Sequence, residues 1–447
     1  MKLSPIVLAV VALSAATSSL AAPSAARIAV SSGASATKGN LAASLAVLCK
    51  AGTGNSNNVL TEFASGGNIS TYVCADTAVT GGAAGTYLSK ANTGFKNFFG
   101  TNFAELRLNV SGGSFTAVCA LNGWPAGTSC ATVNPGGVGD SYRDPATLTN
   151  VLPAAGQVIV GGLMDVAPDT WPAGVTAGLS IPSAEPTGVA QSFGVAVSDT
   201  LYTAMFNEQK AAAGGATIAK PIPSSCLVTD TTRLECVPTV SKGQMATIMA
   251  NNEFNDAYSR GAGFLAGSAL DGTFLEYNRR ADTSGTQAAA QAYFLGLPCS
   301  STQLSIVTAP AVGSSTEIGA IRVYAHAGTG DVRTRLNTAG VYGIGIISGE
   351  NNQTSATTWK WVRLQGAPIG ENATPATGVT NRASVINGSY DFYFESKVAP
   401  GSAAGSSAFW GAVTGTLNTL AAPVGLLNAT DLGAYNKGGN ACQFNAR

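Results

Sequence analysis

Apolar and polar positions fall into a recurring unit: a short apolar strand, a loop of small residues, then a helix. Arg27 to Ser31 alternates and carries β-branched residues, GASATKGN is a small-residue loop, and LAASLAVLCK spaces its apolar positions as a helix does. AELRLNVSGGSF (104–115) repeats the unit, with a strand from Leu106 to Val110, a Ser-Gly-Gly loop and a helix or turn to follow. QVIVGGLMDVAPD (157–169) gives a strand that ends in Asp165. SFGVAVSDTLYTAMFNEQKAA (192–212) runs from strand into helix, and VSKGQMATIMANNEFND (240–256) reads as a capped helix. FLEYNRRADTSGTQAAAQAYFL (274–295) is strand, turn, helix. IGAIRVYAHAG, GVYGIGIIS, WKWVRLQG and SYDFYFES are further strands. Strands alternating with helices predict an α/β architecture whose loops gather at the C-terminal ends of the strands.

Composition narrows the function classes. The chain has 447 residues, 45% of them apolar and only 11% charged, with 24 basic and 24 acidic side chains. That is ample core for two lobes or one large domain. Without a basic surplus, no nucleic-acid partner is expected. Residues 1–22, MKLSPIVLAVVALSAATSSLAA, have the layout of a secretory signal peptide: an early lysine, a short apolar run and small residues at the end. The run is shorter than the roughly 20 residues that span a bilayer. The expected location is periplasmic or secreted.

Eight cysteines in an exported chain predict disulfides rather than free thiols. The short-range pairs Cys119–Cys130 and Cys226–Cys236 each close a small loop, Cys49–Cys74 is a third pairing, and Cys299–Cys442 is left to pin the C-terminal tail. No C-x-x-C occurs and the single histidine, His326, lies in a strand-like segment, so neither a metal site nor a histidine triad is expected. His326 reads as a structural or surface residue. Trp359 and Trp361, alternating around Lys360, read as a half-exposed strand.

The segment Arg280-Ala-Asp-Thr-Ser-Gly-Thr286 carries the most chemistry. Arginine at a strand end offers a forked cation matched to tetrahedral oxyanions, and Ser284 and Thr286 add hydroxyls where a helix opens. The plainer reading is an N-cap beside a surface arginine.

RADTSGT resembles the R-x-D-x-SGT turn of periplasmic phosphate-binding proteins, the receptors of phosphate ABC transporters. The resemblance implies that Arg280, Ser284, Gly285 and Thr286 hold the ligand and that Asp282 orients Arg280. GASATK is similar to the family's opening loop, which implies contacts from Thr37 and from the amide of Lys38. VSGGS is similar to its Ser-Ser-Gly-Gly loop, with Val110 in place of a serine and Ser111 or Ser114 as substitutes; Ser111 is taken as the ligand residue. VIVGGLMD is similar to the strand that ends in a ligand-binding aspartate, here Asp165. The order of these pieces matches the family from about residue 27 to 400.

By this resemblance the fold is the two-lobed, type II binding-protein architecture, each lobe a sheet with flanking helices and the ligand in the cleft between them. Lobe one is 27–193 plus 343–447, lobe two is 194–342, and the chain crosses near Ser192–Val197 and Tyr342–Ile346. The implied function is capture of phosphate or a related oxyanion by a monomer, for an ABC transporter, without cofactor or covalent chemistry. Low charge, high Gly/Thr/Asn content and cysteine staples suit a structural or adhesive surface protein as the alternative. A secreted phosphatase is the third reading, with no metal cluster or activated nucleophile in the sequence to serve it.

Overall fold

A computed structural model describes residues 27–52, 57–66, 68–82, 85–87, 105–133, 140–211, 222–230, 233–250, 273–299, 306–319, 321–351, 357–369, 382–420 and 426–432. Seventeen strands run along these residues: Ile28–Ser32 (β1), Val59–Ser65 (β2), Ile69–Ala75 (β3), Glu105–Asn109 (β4), Tyr142–Arg143 (β5), Asn150–Val151 (β6), Val158–Met164 (β7), Glu185–Val197 (β8), Thr239–Val240 (β9), Leu275–Arg280 (β10), Ser315–Ile318 (β11), Ile321–His326 (β12), Tyr342–Ser348 (β13), Lys360–Trp361 (β14), Arg363–Leu364 (β15), Tyr393–Pro400 (β16) and Leu426–Asn428 (β17). Helices alternate with them, so the α/β class is as the sequence pattern predicts.

Thirteen strands form one sheet, in the order β11-β12-β10-β13-β8-β16-β7-β1-β4-β3-β2, with β14 and β17 attached to β8. Two parallel groups lie within it. On one side β7, β1 and β4 run parallel; on the other, β12, β10 and β13 do. The long strand β8 joins them. Its first part, from Glu185 to Ser192, pairs with β16, and Phe193 to Val197 pairs with β13. The sequence pattern shows only the second part of this strand, because Pro186 and Gly188, at φ +76°, interrupt the alternation in the first.

The central strands are buried on both faces, as parallel sheets require. The largest apolar cluster runs through both groups, from Phe115 and Met164 to Phe193, Tyr277 and Ile344. A second cluster places helices Lys38–Gly52 and Ser406–Leu417 on the β7-β1-β4 side through Leu41, Leu45, Phe409 and Trp410. Helix Lys242–Met249 starts at the predicted cap: Ser241 Oγ accepts from the Gln244 amide and the Gln244 side chain accepts from the Ser241 amide.

Strand β10, LEYNRR, is buried along its whole length although four of its residues are polar. Such burial is costly unless each polar group is paired. Glu276 takes a forked bond from Arg335, and Asn278 bonds His326 Nε2 at 3.0 Å. His326 is therefore a structural residue and not a surface one. Trp359 and Trp361, expected half-exposed, are fully buried and pack edge to face.

Three predicted disulfides are present: Cys49–Cys74, Cys119–Cys130 and Cys226–Cys236. Cys299 is also disulfide-bonded, and no described cysteine is free. Cys442 and the signal-like residues 1–22 lie outside the described residues.

Candidate oxyanion site

Both parallel groups present the C-terminal ends of their strands, and the loops that follow carry the candidate chemistry. β7 ends at Asp165. β4 leads through Gly113, at φ +74°, to Ser114 and helix Phe115–Leu121. From the other group, β10 ends at Arg280 and leads to Ser284 and helix Gly285–Ala290. β12 leads to Thr329, and β13 to Glu350.

These loops meet. A Cβ placed on Gly285 would lie 2.3 Å from Ser114 Oγ and 2.9 Å from Asp165 Oδ2, and one on Gly113 would lie 3.5 Å from the Ser284 Cα. Glycine at 285 is thus what lets the Arg280 loop approach the Asp165 loop. Ser114, Asp165, Arg280, Ser284, Gly285 and Thr286 are all buried.

Arg280 is held from one side only. Its Nη1 donates to Thr329 Oγ1 at 2.8 Å and its Nη2 to the Ala327 carbonyl at 2.7 Å. Its Nε is buried and makes no hydrogen bond within the described chain. Burial pulls the guanidinium down to about 10, against the opposing pull of Asp165, Asp331 and Glu350, so it stays charged at neutral pH.

Asp165 mirrors it. Its Oδ2 accepts from Ser114 Oγ at 3.0 Å, and its amide donates back to the same hydroxyl at 3.1 Å. Oδ1 is buried and unpaired. Burial and the nearby Glu350 carboxylate push this carboxyl up to about 7, partly offset by Ser114 and Arg280. Asp165 and Arg280 feel each other's charge, yet no direct ion pair joins them among the described residues. The arrangement leaves one cationic donor and one acidic acceptor open at a buried junction.

Several predicted residues fall elsewhere. Asp282 does not hold Arg280; its Oδ1 pairs with Arg279 Nη2. Successive strand residues face opposite sides, and Asp282 lies on the side of Arg279, which is fully buried and also donates to the Val307 and Arg280 carbonyls. Thr37 Oγ1 donates to the Ala34 carbonyl at 3.2 Å. The Lys38 amide donates to the Ser35 carbonyl, and its ammonium sits 3.1 Å from Glu62. Both residues are thus used locally. Ser111 is half-buried and its amide donates to Asn109 Oδ1, while Ser114 supplies the hydroxyl at the junction.

Sequence reasoning missed Thr329 and Glu350. Each follows a strand end, in YAHAGTG and IISGENN, as Asp165 does in GLMD. Cys226, Asp230 and Cys236 are close enough to suggest a metal, but the two sulfurs are spent in a disulfide.

No family model matches the chain, and no curated protein does. Among solved structures it is similar to a crystal structure described as a phosphate ABC transporter substrate-binding protein from Clostridium perfringens with bound phosphate. The two share 11% identity over 86% of this chain and 92% of that one, at a TM-score of 0.38. Among the described residues no helix is long and apolar enough to cross a membrane.

Proposed function

We propose that this chain is an exported solute-binding protein that captures phosphate at the Arg280–Asp165 junction, for delivery to an ABC transporter. One observation carries the reading: a buried guanidinium and a buried carboxyl lie near each other, and each keeps one unpaired atom. A tetrahedral anion with one O–H satisfies both. An ionised oxygen accepts from Arg280 Nε, and the O–H donates to Asp165 Oδ1. Ser284 and Gly285 lie at the same junction, and the resemblance adds them, with Thr286, to the donor set.

The two-lobed division, 27–193 plus 343–447 against 194–342, belongs to the same proposal. It is supported by β8, whose two parts pair with different strand groups. The Gly113–Ser114 and Ser284–Gly285 loops already touch, so entry of the ligand requires them to part and capture is linked to their closing again. No bond is made or broken in this role, and the disulfides suit an oxidising compartment.

Calorimetric titration with phosphate tests the reading. The wild type is expected to bind one phosphate per chain. Arg280→Ala is expected to lose about 2–5 kcal/mol of binding while its far-ultraviolet circular dichroism is unchanged. Equal affinity in the two proteins contradicts the assignment.

A further inference from the structure

We propose that the crevice beside Arg363 is a second anion site, one that takes a small monovalent anion, a halide or a short carboxylate. It uses none of the residues of the Arg280–Asp165 junction and stands apart from the phosphate reading. Leu234, Val237, Val362, Pro368 and Ile369 form its apolar walls, Arg363 and Trp361 complete it, and it encloses about 180 Å³, its mouth included. Arg363 is only 6% exposed and Trp361 1%. Both are fixed in place. The Arg363 amide donates to the Pro238 carbonyl at 2.8 Å, and the Arg363 carbonyl accepts from Thr239 Oγ1 at 3.3 Å. The Trp361 ring lies against Gly194 of β8, where a Cβ would come within 2.4 Å of it. The turn that carries Leu234 is tied by the Cys226–Cys236 disulfide.

The chain leaves both polar groups short of partners. Arg363 Nε donates to the Val237 carbonyl at 2.7 Å, but its Nη2 is buried and makes no hydrogen bond. Trp361 Nε1 is likewise buried without a partner. No carboxylate among the described residues pairs with Arg363. Glu235, which feels its charge, is exposed and sits 2.9 Å from Arg233 Nε instead. Burial pulls the Arg363 guanidinium below its ordinary value, against Tyr202 and Glu235, yet arginine keeps its charge in a protein. A buried charge without a counterion is costly, and so is a buried donor without an acceptor. Guanidinium and indole donate only, so one partner that answers both must accept twice. A halide accepts from several directions, and a carboxylate offers one oxygen to each donor. A single cation among apolar walls does not offset the desolvation of a dianion. No water-sized sphere moves freely between the walls, so the anion enters bare as the half-buried rim residues Leu234 and Pro368 give way.

The test follows thermal unfolding of the full chain at about pH 7 and constant ionic strength, with sodium gluconate, too large for the crevice, exchanged stepwise for chloride or for acetate. The wild-type midpoint is expected to rise saturably with one or both, by about 3 °C at about a hundredfold excess over the dissociation constant. Which anion acts tells a halide site from a carboxylate site. Trp361→Phe, which keeps an aromatic ring and loses the donor, is expected to need about tenfold more anion. Arg363→Met is expected to lose the response and, in gluconate, to unfold no earlier than wild type, because an apolar side chain replaces an unpaired charge. Arg280→Ala is expected to keep the response, which separates this site from the junction. A wild-type midpoint indifferent to both anions overturns the proposal, as does a response that persists in Arg363→Met or an affinity unchanged in Trp361→Phe. If Arg363→Met is markedly less stable than wild type in gluconate, the charge already has its partner within the chain and the proposal falls.

Discussion

Two buried arginine–carboxylate clusters in this chain are built to opposite ends. In the first, Arg107 and Glu105 on β4 are both buried, Arg107 Nε donates to Glu105 Oε1, and the Tyr87 hydroxyl donates to Glu105 Oε2. Asp144 adds a second carboxylate 3.8 Å from Arg107. Each Glu105 oxygen has a partner. In the second, Arg280 and Asp165 lie near each other without pairing, and each retains a buried atom with no hydrogen bond. A buried cluster that closes on itself fixes the fold. One that leaves a matched donor and acceptor open has the makings of a binding site. The contrast recurs within two adjacent residues, since Arg279 is spent on Asp282 and two carbonyls while Arg280 keeps its Nε free.

Removing one partner from each cluster separates the two designs. Arg107→Ala strands a buried Glu105 and is expected to cost about 3–5 kcal/mol of stability in denaturant unfolding. Arg280→Ala removes a cation that makes no direct ion pair, and its stability loss is expected to be smaller, about 1 kcal/mol. A larger loss from Arg280→Ala than from Arg107→Ala breaks the comparison.

The open cluster also has a pH signature. The Asp165 carboxyl is held at about 7 in the folded chain, against an ordinary value of 3.8. The folded state therefore binds this proton more tightly than the unfolded state does. The favourable contribution is full below the ordinary value and is lost as pH rises through about 7. Relative to wild type, Asp165→Asn is expected to gain about 3 kcal/mol between about pH 5 and pH 8 in anion-free buffer. A stability difference that stays constant over that range contradicts the raised carboxyl.

Much of the scaffold was legible because strand, small-residue loop and helix differ in period. β1, β4, β7 and β10 with their following loops are each visible in the sequence, and so is the start of a capped helix after Val240. The antiparallel pair β2 and β3, in register from Val59↔Ala75 to Ser65↔Ile69, escaped despite its alternation. In the site, Arg280 and Asp165 stood out as charged residues at strand ends. The role of Asp282 was misassigned because Arg279 and Arg280 are neighbours in sequence but face opposite sides of the sheet. Glu350 and Thr329 were hidden because only the parallel order of β10, β12 and β13 carries them to Arg280. Lys38 was drawn to the site by its loop, whereas its side chain reaches Glu62 on β2.

The most direct measurement is competition between phosphate and sulfate for the wild-type chain at about pH 8, where Asp165 is mostly ionised. A site built to accept a hydrogen bond rejects an analogue without the donor by about 10⁴–10⁵-fold. The account predicts one phosphate bound per chain and no displacement by sulfate in large excess. Equal affinity for the two anions would contradict it.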